Sequence, residues 1–155
     1  MRVATTTKFA FVAVFVLSAF LLTSQDSALA DIFTKPSRIK SLSTTQISPG
    51  NTEDVVEISS EATNMGVFTV PPNKVLVITN VKIFPQNPGA GTLKVRLIQD
   101  SRAREYWVVP NDLPTQLHIP TGLVIAPGYS LKIENYPDSA GPIRVDMIGY
   151  IVKDL

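Results

Sequence analysis

Short runs of alternating apolar and polar residues, separated by turn residues, cover most of the chain after Gly66. In order they are VFTV, KVLVITNVKIF, TLKVRLIQ, REYWVV, TQLHI, LVIA, YSLKIEN and IRVDMIGYIV. Side chains along a β-strand alternate between two faces, so this pattern is typical of strands with one buried face. Twelve prolines and the lack of capped segments with a 3.6-residue period argue against helices. The pattern predicts an all-β fold over residues 65–155, an antiparallel β-sandwich of Greek-key or jelly-roll type.

The alternation also predicts which side chains are buried. Inward positions are Leu93, Val95, Leu97, Leu131, Ile133, Ile143, Val145, Met147 and Ile151. Their charged neighbours should face outward, namely Lys94, Arg96, Lys132, Glu134, Arg144 and Asp146. Near the end of the last run the outer face also becomes apolar, at Ile148, Tyr150 and Val152. This strand should therefore be central, or covered by the N-terminal segment or by another subunit.

Two parts of the chain resemble each other. VPPNKVLVITN, from Val70, aligns with IAPGYSLKIEN, from Ile125, and LKVRLI further on aligns with IRVDMI. Each part has the order turn, strand, loop, strand, which predicts two related hairpin units, each contributing a strand pair. The alignment makes Leu76 equivalent to Leu131, and Ile78 equivalent to Ile133.

The first thirty residues have the three parts of a secretory signal. Arg2 and Lys8 precede an apolar run over residues 9–22, and Ala28-Leu29-Ala30 supplies small residues at the cleavage positions. An apolar run of this length spans roughly 21 Å as a helix, short of a roughly 30 Å hydrocarbon core. The pattern predicts a cleaved signal peptide over residues 1–30 and a secreted or periplasmic product.

Residues 31–64 are rich in serine and threonine and poor in large apolar residues. Only DVVEIS, from Asp54, has the composition of a strand, so the segment is predicted to be extended or mobile. The chain contains no cysteine, which excludes disulfides and thiolate chemistry. Removing Arg2 and Lys8 from 14 basic residues, and Asp26 from 13 acidic ones, leaves 12 of each. A neutral product gives no electrostatic reason to expect nucleic acid or, after cleavage, a membrane as partner.

Catalytic chemistry has little support in the sequence. His118 is the only histidine, so a site with several histidine ligands is excluded, and we expect neither a metal nor a cofactor. The carboxylates of Asp112, Glu134, Asp138 and Asp146 have no spacing that indicates an acid–base pair. Nucleophile-elbow, phosphate-loop and dinucleotide motifs are absent from the sequence. These observations predict a protein that is not an enzyme.

Aromatic and apolar residues are the candidates for ligand or partner contact. Tyr106 and Trp107 are adjacent in one strand and should lie on opposite faces, while Tyr129 and Tyr136 lie in or beside turns. Exposed rings could stack on sugars or enter a partner's pocket, but Trp107 could equally fill the core. The full set of candidate contacts is Tyr106, Trp107, Tyr129, Tyr136, Ile148 and Tyr150.

Two functions follow from these features. In the first, the protein is a structural or self-assembling subunit of an extracellular filament or surface layer, with itself as partner. Its N-terminal segment would add a strand to a neighbour's sheet, or fold back on its own domain. In the second, it is a carbohydrate- or protein-binding module that recognises an extracellular glycan or protein through end loops and exposed aromatic residues.

Overall fold

The structure, a computed structural model, describes residues 38–58 and 66–153 of the 155-residue chain. The predicted signal peptide, residues 1–30, lies outside the described residues, as does the first part of the segment that follows it. Within the described residues there is no α-helix, and none that is long and apolar enough to cross a membrane.

Strands make up nearly all of the regular structure, as the alternating pattern predicted. The described residues form nine strands: β1 (Ile39–Ser43), β2 (Thr52–Asp54), β3 (Val56–Glu57), β4 (Lys74–Pro85), β5 (Thr92–Gln99), β6 (Arg102–Pro110), β7 (Thr115–Ile125), β8 (Leu131–Asn135) and β9 (Ile143–Lys153). They form two antiparallel sheets. Sheet A has the order β3-β1-β9-β4-β7, and sheet B has the order β2-β8-β5-β6.

The strand pairs are nested in one another. β1 pairs with β9, β2 with β8, β4 with β7 and β5 with β6, and successive pairs alternate between sheets A and B. The innermost pair is joined by Asp100 and Ser101, whose φ angles are 47° and 61°. Two consecutive residues in the left-handed region match the right-handed twist of the strands they connect, as a type I′ turn requires.

Both sheets contribute side chains to one hydrophobic core. From sheet A come Leu42, Leu76, Ile78, Val81, Ile83, Ile125 and the inward residues of β9, and from sheet B come Leu93, Val95, Leu97, Val109, Leu131 and Ile133. All the inward positions predicted from the alternation are buried, and the six charged positions are partly or fully exposed. The period-two pattern therefore assigned the faces of β5, β8 and β9 correctly.

The sequence predicted that the two similar segments are hairpins, and this prediction is wrong. β4 lies in sheet A and β5 in sheet B, and β4 instead pairs with β9 while β5 pairs with β8. The connections 86–91 and 136–142 carry the chain from one sheet to the other, so each unit is a corner. The two corners lie antiparallel to each other. This arrangement places β4 beside β9 in sheet A and β5 beside β8 in sheet B.

The similarity between the units extends to backbone conformation. Asn73 and Gly128 occupy matched positions before β4 and β8, and both have positive φ, 59° and 78°. Glycine and asparagine are the residues that tolerate this region most readily. The two connections also approach each other closely. A Cβ atom on Gly91, in the first connection, would be 2.8 Å from the Cβ atom of Ala140, in the second.

Residues before 65 contribute to both sheets, which moves the start of the folded domain ahead of the sequence-based boundary. β1 pairs with β9 of its own chain along all five of its residues, and β2 pairs with β8. Leu42, Ile47 and Val55 are fully buried or nearly so. The segment is polar in composition because its strands are short and only these few side chains face the core.

Candidate functional site

The candidate contact residues separate onto the outer faces of the two sheets. Tyr106 and Tyr136 lie together on sheet B, while Ile148 and Tyr150 lie on sheet A. The remaining two, Trp107 and Tyr129, join neither pair. The structure therefore offers two surfaces of different chemistry rather than one site.

The outer face of sheet A carries a row of apolar side chains across four strands. Backbone register aligns Ile39 of β1 with Tyr150 of β9, Tyr150 with Val77 of β4, and Val77 with Val124 of β7. Ile39 is 51% exposed, Val124 48% and Ile148, in the adjacent row, 50%, whereas Val77, between Tyr150 and Val124, is only 9% exposed. We refer to Ile39, Val77, Val124, Ile148 and Tyr150 as the apolar face.

A charged rim adjoins the apolar face. Lys82 and Arg144 lie over the ring of Phe84, with Lys82 Nζ 4.7 Å and Arg144 Cζ 4.6 Å from its centroid. Arg144 also contacts Asp146 at 3.1 Å, and Ser43 Oγ donates to Asp146 Oδ1 at 2.5 Å. Both signs of charge are therefore present beside the same apolar surface.

The outer face of sheet B carries an aromatic corner, formed by Tyr106 of β6 and Tyr136 after β8. Their ring centroids are 5.2 Å apart and the ring planes are inclined at 72°, the edge-to-face geometry that aromatic pairs prefer. The guanidinium of Arg96, which is directly opposite Tyr106 in the register, lies 5.2 Å from the centre of the Tyr136 ring. Tyr106 remains 47% exposed.

Three ion pairs surround the aromatic corner on the same face. Lys94 pairs with Asp138, Arg96 with Glu134, and Lys132 with Asp54 at 3.2 Å. They share a face because alternate residues of β5 and β8 point the same way and lie opposite one another. Each of these three cations therefore has a carboxylate partner on the same face.

The Lys94–Asp138 ion pair shifts the pKa of both of its groups. The hydrogen bond from the ammonium lowers the pKa of Asp138 and raises that of Lys94, because each charge favours the other. The pair therefore stays charged to lower and to higher pH than either group alone, and it is lost as pH falls through the Asp138 pKa or rises through the Lys94 pKa.

A groove of about 470 Å³ continues this face toward the β5–β6 turn. It is lined by Ile98, Asp100, Ser101, Ser130 and Lys132. Ile98 and Lys132 are opposite each other in the register, one step of the pleat beyond Arg96 and Glu134. The aromatic corner and the groove are thus parts of one continuous surface.

The other residues considered in the sequence analysis are Trp107, Tyr129 and His118, and each lies in different surroundings. Trp107 is partly buried and packs against the core, so it lies on the opposite face from Tyr106, as the alternation predicted. Tyr129 is 39% exposed in the β7–β8 connection, and its carbonyl accepts a hydrogen bond from Val70. His118 is exposed opposite Asn80. In residues 38–58 and 66–153, no three acidic or histidine side chains come close enough to hold a metal ion.

Sequence reasoning missed several members of both faces. Ile39 and Val124 lie on different strands from Ile148, and Arg96 is on a different strand from both tyrosines. Alternation indicates that Arg96 and Val124 point outward, but not which side chains stand beside them. That information comes only from the strand order.

No protein-family model, curated protein or solved structure matches the chain. Function must therefore be inferred from the geometry of the two faces.

Proposed function

We propose that the protein is an exported, non-catalytic β-sandwich of jelly-roll type that works as a self-assembling structural subunit. The jelly-roll assignment is supported by the nested strand pairs that alternate between two sheets around a shared core. Export is supported by the signal-like pattern of residues 1–30. An extracellular filament or surface layer is the assembly we propose.

The observation that carries the proposal is the apolar face. Monomeric soluble proteins seldom expose a contiguous apolar patch larger than roughly a few hundred Å², and patches above that size mark contact sites. Three of its five residues, Ile39, Val124 and Ile148, are isoleucine or valine and are about half exposed. A second copy of the same face is the occupant we propose, because two sheets pack naturally face to face at about 10 Å.

The rim is compatible with contact between identical copies. In a two-fold contact the same patch meets itself, so a rim of one charge sign would be repelled. Here Lys82 and Arg144 stand beside Asp146, which provides both signs next to the apolar face. Such a contact closes after two copies, so a filament or layer also needs a second contact. The outermost strands β7 and β6 offer sheet edges for it.

The test is the double variant Val124→Lys and Ile148→Lys in the chain beginning at Asp31. Both positions are exposed, so the monomer should still fold, but a lysine pair in the middle of the contact must be desolvated when two copies meet. We expect size-exclusion chromatography with light scattering to give an oligomer for the parent chain and a monomer for the variant.

The matched control is Val108→Lys, which places the same change on the outer face of sheet B, where Val108 is 54% exposed. It should leave the oligomer intact. A parent chain that is monomeric at high micromolar concentration would refute the assembly proposal. The alternative function, a carbohydrate- or protein-binding module, is favoured by a separate observation, the aromatic corner on sheet B.

A further inference from the structure

We propose that the outer face of sheet B binds a neutral oligosaccharide, with one sugar ring against the aromatic corner and further units along the groove. The inference does not depend on assembly, because it concerns the sheet opposite to the apolar face. It rests on three properties of the face: an exposed tyrosine ring, cations that are paired with carboxylates, and a groove on the same face.

The aromatic corner suits the amphipathic surface of a sugar ring. A pyranose presents C–H groups on its faces and hydroxyls around its edge, so an exposed tyrosine ring can cover the former while polar neighbours bind the latter. Tyr106 is about half exposed, and its partner Tyr136 contacts both the Arg96 guanidinium and the inclined Tyr106 ring. The corner is therefore already in place before any ligand arrives, which lowers the entropic cost of binding.

The charge distribution favours a neutral ligand. Lys94, Arg96 and Lys132 each have a carboxylate partner on the same face. Arg104, farther along β6, donates to the carbonyl of Val124 at 3.0 Å. An anionic ligand such as a phosphate or uronate would have to compete with these carboxylates for each cation. Ligand hydroxyls, in contrast, can share the existing pairs as both donors and acceptors.

The separation of the groove from the aromatic corner sets a minimum length for the ligand. From the Arg96–Tyr106 pair to Ile98 is two residues of β5, or roughly 6.6 Å along the strand. A ligand that contacts both the aromatic corner and the groove must therefore be longer than one sugar ring. At the far end, Ser101, Ser130 and Asp100 supply hydroxyl and carboxylate groups for hydrogen bonds. Asp100 and Ser101 form the tight β5–β6 turn, so their backbone is fixed.

The experiment is isothermal titration of the chain beginning at Asp31 with soluble neutral tetrasaccharides: cellotetraose, chitotetraose, maltotetraose, laminaritetraose and mannotetraose. Tetragalacturonate serves as the acidic counterpart. Soluble ligands with a single binding segment keep the oligomeric state from adding avidity. We expect at least one neutral tetrasaccharide to bind, and the corresponding disaccharide to bind about tenfold more weakly because it cannot reach from the corner to the groove.

Variants then locate the site. Tyr106→Ala should weaken binding about tenfold or more by removing the stacking ring, while Tyr106→Phe should stay within about threefold of the parent chain. Tyr150→Ala, on the apolar face, is the matched control and should leave sugar affinity per chain unchanged whatever it does to assembly. Unchanged binding by Tyr106→Ala, binding of the acidic tetrasaccharide alone, or binding of none of the sugars would each overturn the proposal.

Discussion

At the scale of single residues, the matched apolar positions of the two units have the same burial, but the matched asparagines do not. Leu76, Ile78, Leu131 and Ile133 are fully buried. Asn80 and Asn135 also align, yet Asn80 is half-buried at an irregularity of β4, whereas Asn135 is fully buried. The Asn135 side chain donates to the carbonyls of Ile47 and Gly141, both at 3.0 Å. One asparagine thus ties two connections at the same end of the molecule, which its counterpart does not.

Leu131→Ala is the residue-scale prediction. The side chain has no exposed surface and belongs to the shared core, so truncation removes buried apolar atoms and leaves a cavity. We expect the free energy of unfolding to fall by about 2–5 kcal/mol, measured by chemical denaturation. His118→Ala, on an exposed side chain, is the control and should change it by no more than about 0.5 kcal/mol. A loss for Leu131→Ala within that same small range would mean that the leucine does not face the core.

At the scale of elements, the contact between β4 and β9 decides how sheet A is built. It joins the two units along eleven residue pairs and is interrupted where β4 has an irregularity between Ile78 and Asn80. Gly149 of β9 lies at that point. A Cβ atom there would be 2.6 Å from the carbonyl oxygen of Val77 and 3.1 Å from Ile78 Cα. The irregular strand and the glycine therefore fit each other.

Gly149→Ala tests this close approach. The atoms that the new methyl group would meet include backbone, which cannot move aside as a flexible side chain could. We expect a loss of about 1–3 kcal/mol in the free energy of unfolding. Gly66→Ala is the matched control, since a Cβ at Gly66 has no atom of the described residues within 4 Å, and its thermal and chemical unfolding should be nearly those of the parent chain. Equal stability of the two variants would show that β4 can shift to admit the methyl group.

At the scale of the whole molecule, the two sheets leave different outer surfaces. Sheet A exposes the apolar face, for which we propose a second copy, and sheet B exposes the aromatic corner and the groove, for which we propose a sugar. The division would let one subunit assemble through one side while binding through the other. The test variants of each experiment alter one side and the control variant alters the other, so the two proposals fail or stand independently.

Cleavage after Ala30 is the prediction at this scale. The small residues Ala28 and Ala30 suit a signal peptidase, and the apolar run ahead of them is too short for a membrane-spanning helix. Expressed with its own N-terminus, the protein should be recovered outside the cytoplasm with an intact mass equal to residues 31–155. Replacing Ala30 with a bulky residue should block processing. A full-length mass in the membrane fraction of the unaltered chain would contradict the prediction.

The alternating pattern alone determined the class of fold and the inward residues of β5, β8 and β9. It could do so because the direction of a side chain on a strand depends only on the parity of its position. It also placed Tyr106 and Trp107 on opposite faces. The pattern did not identify β1, because one buried leucine in a polar strand carries little signal. It also did not show that the two similar segments are corners, because the sequence of a loop does not say whether the next strand lies in the same sheet or in the other one.

Only the tertiary structure decided which side chains stand together. The row from Ile39 to Val124 joins the beginning and the later part of the chain, and the aromatic corner joins β6 to a residue beyond β8. Such neighbours are set by strand order and register, which depend on the packing of the whole chain rather than on local pattern. Both candidate surfaces are of this kind. The sequence therefore supplied the residue types for a contact or a binding face, and the order of strands in the two sheets brought those residues together.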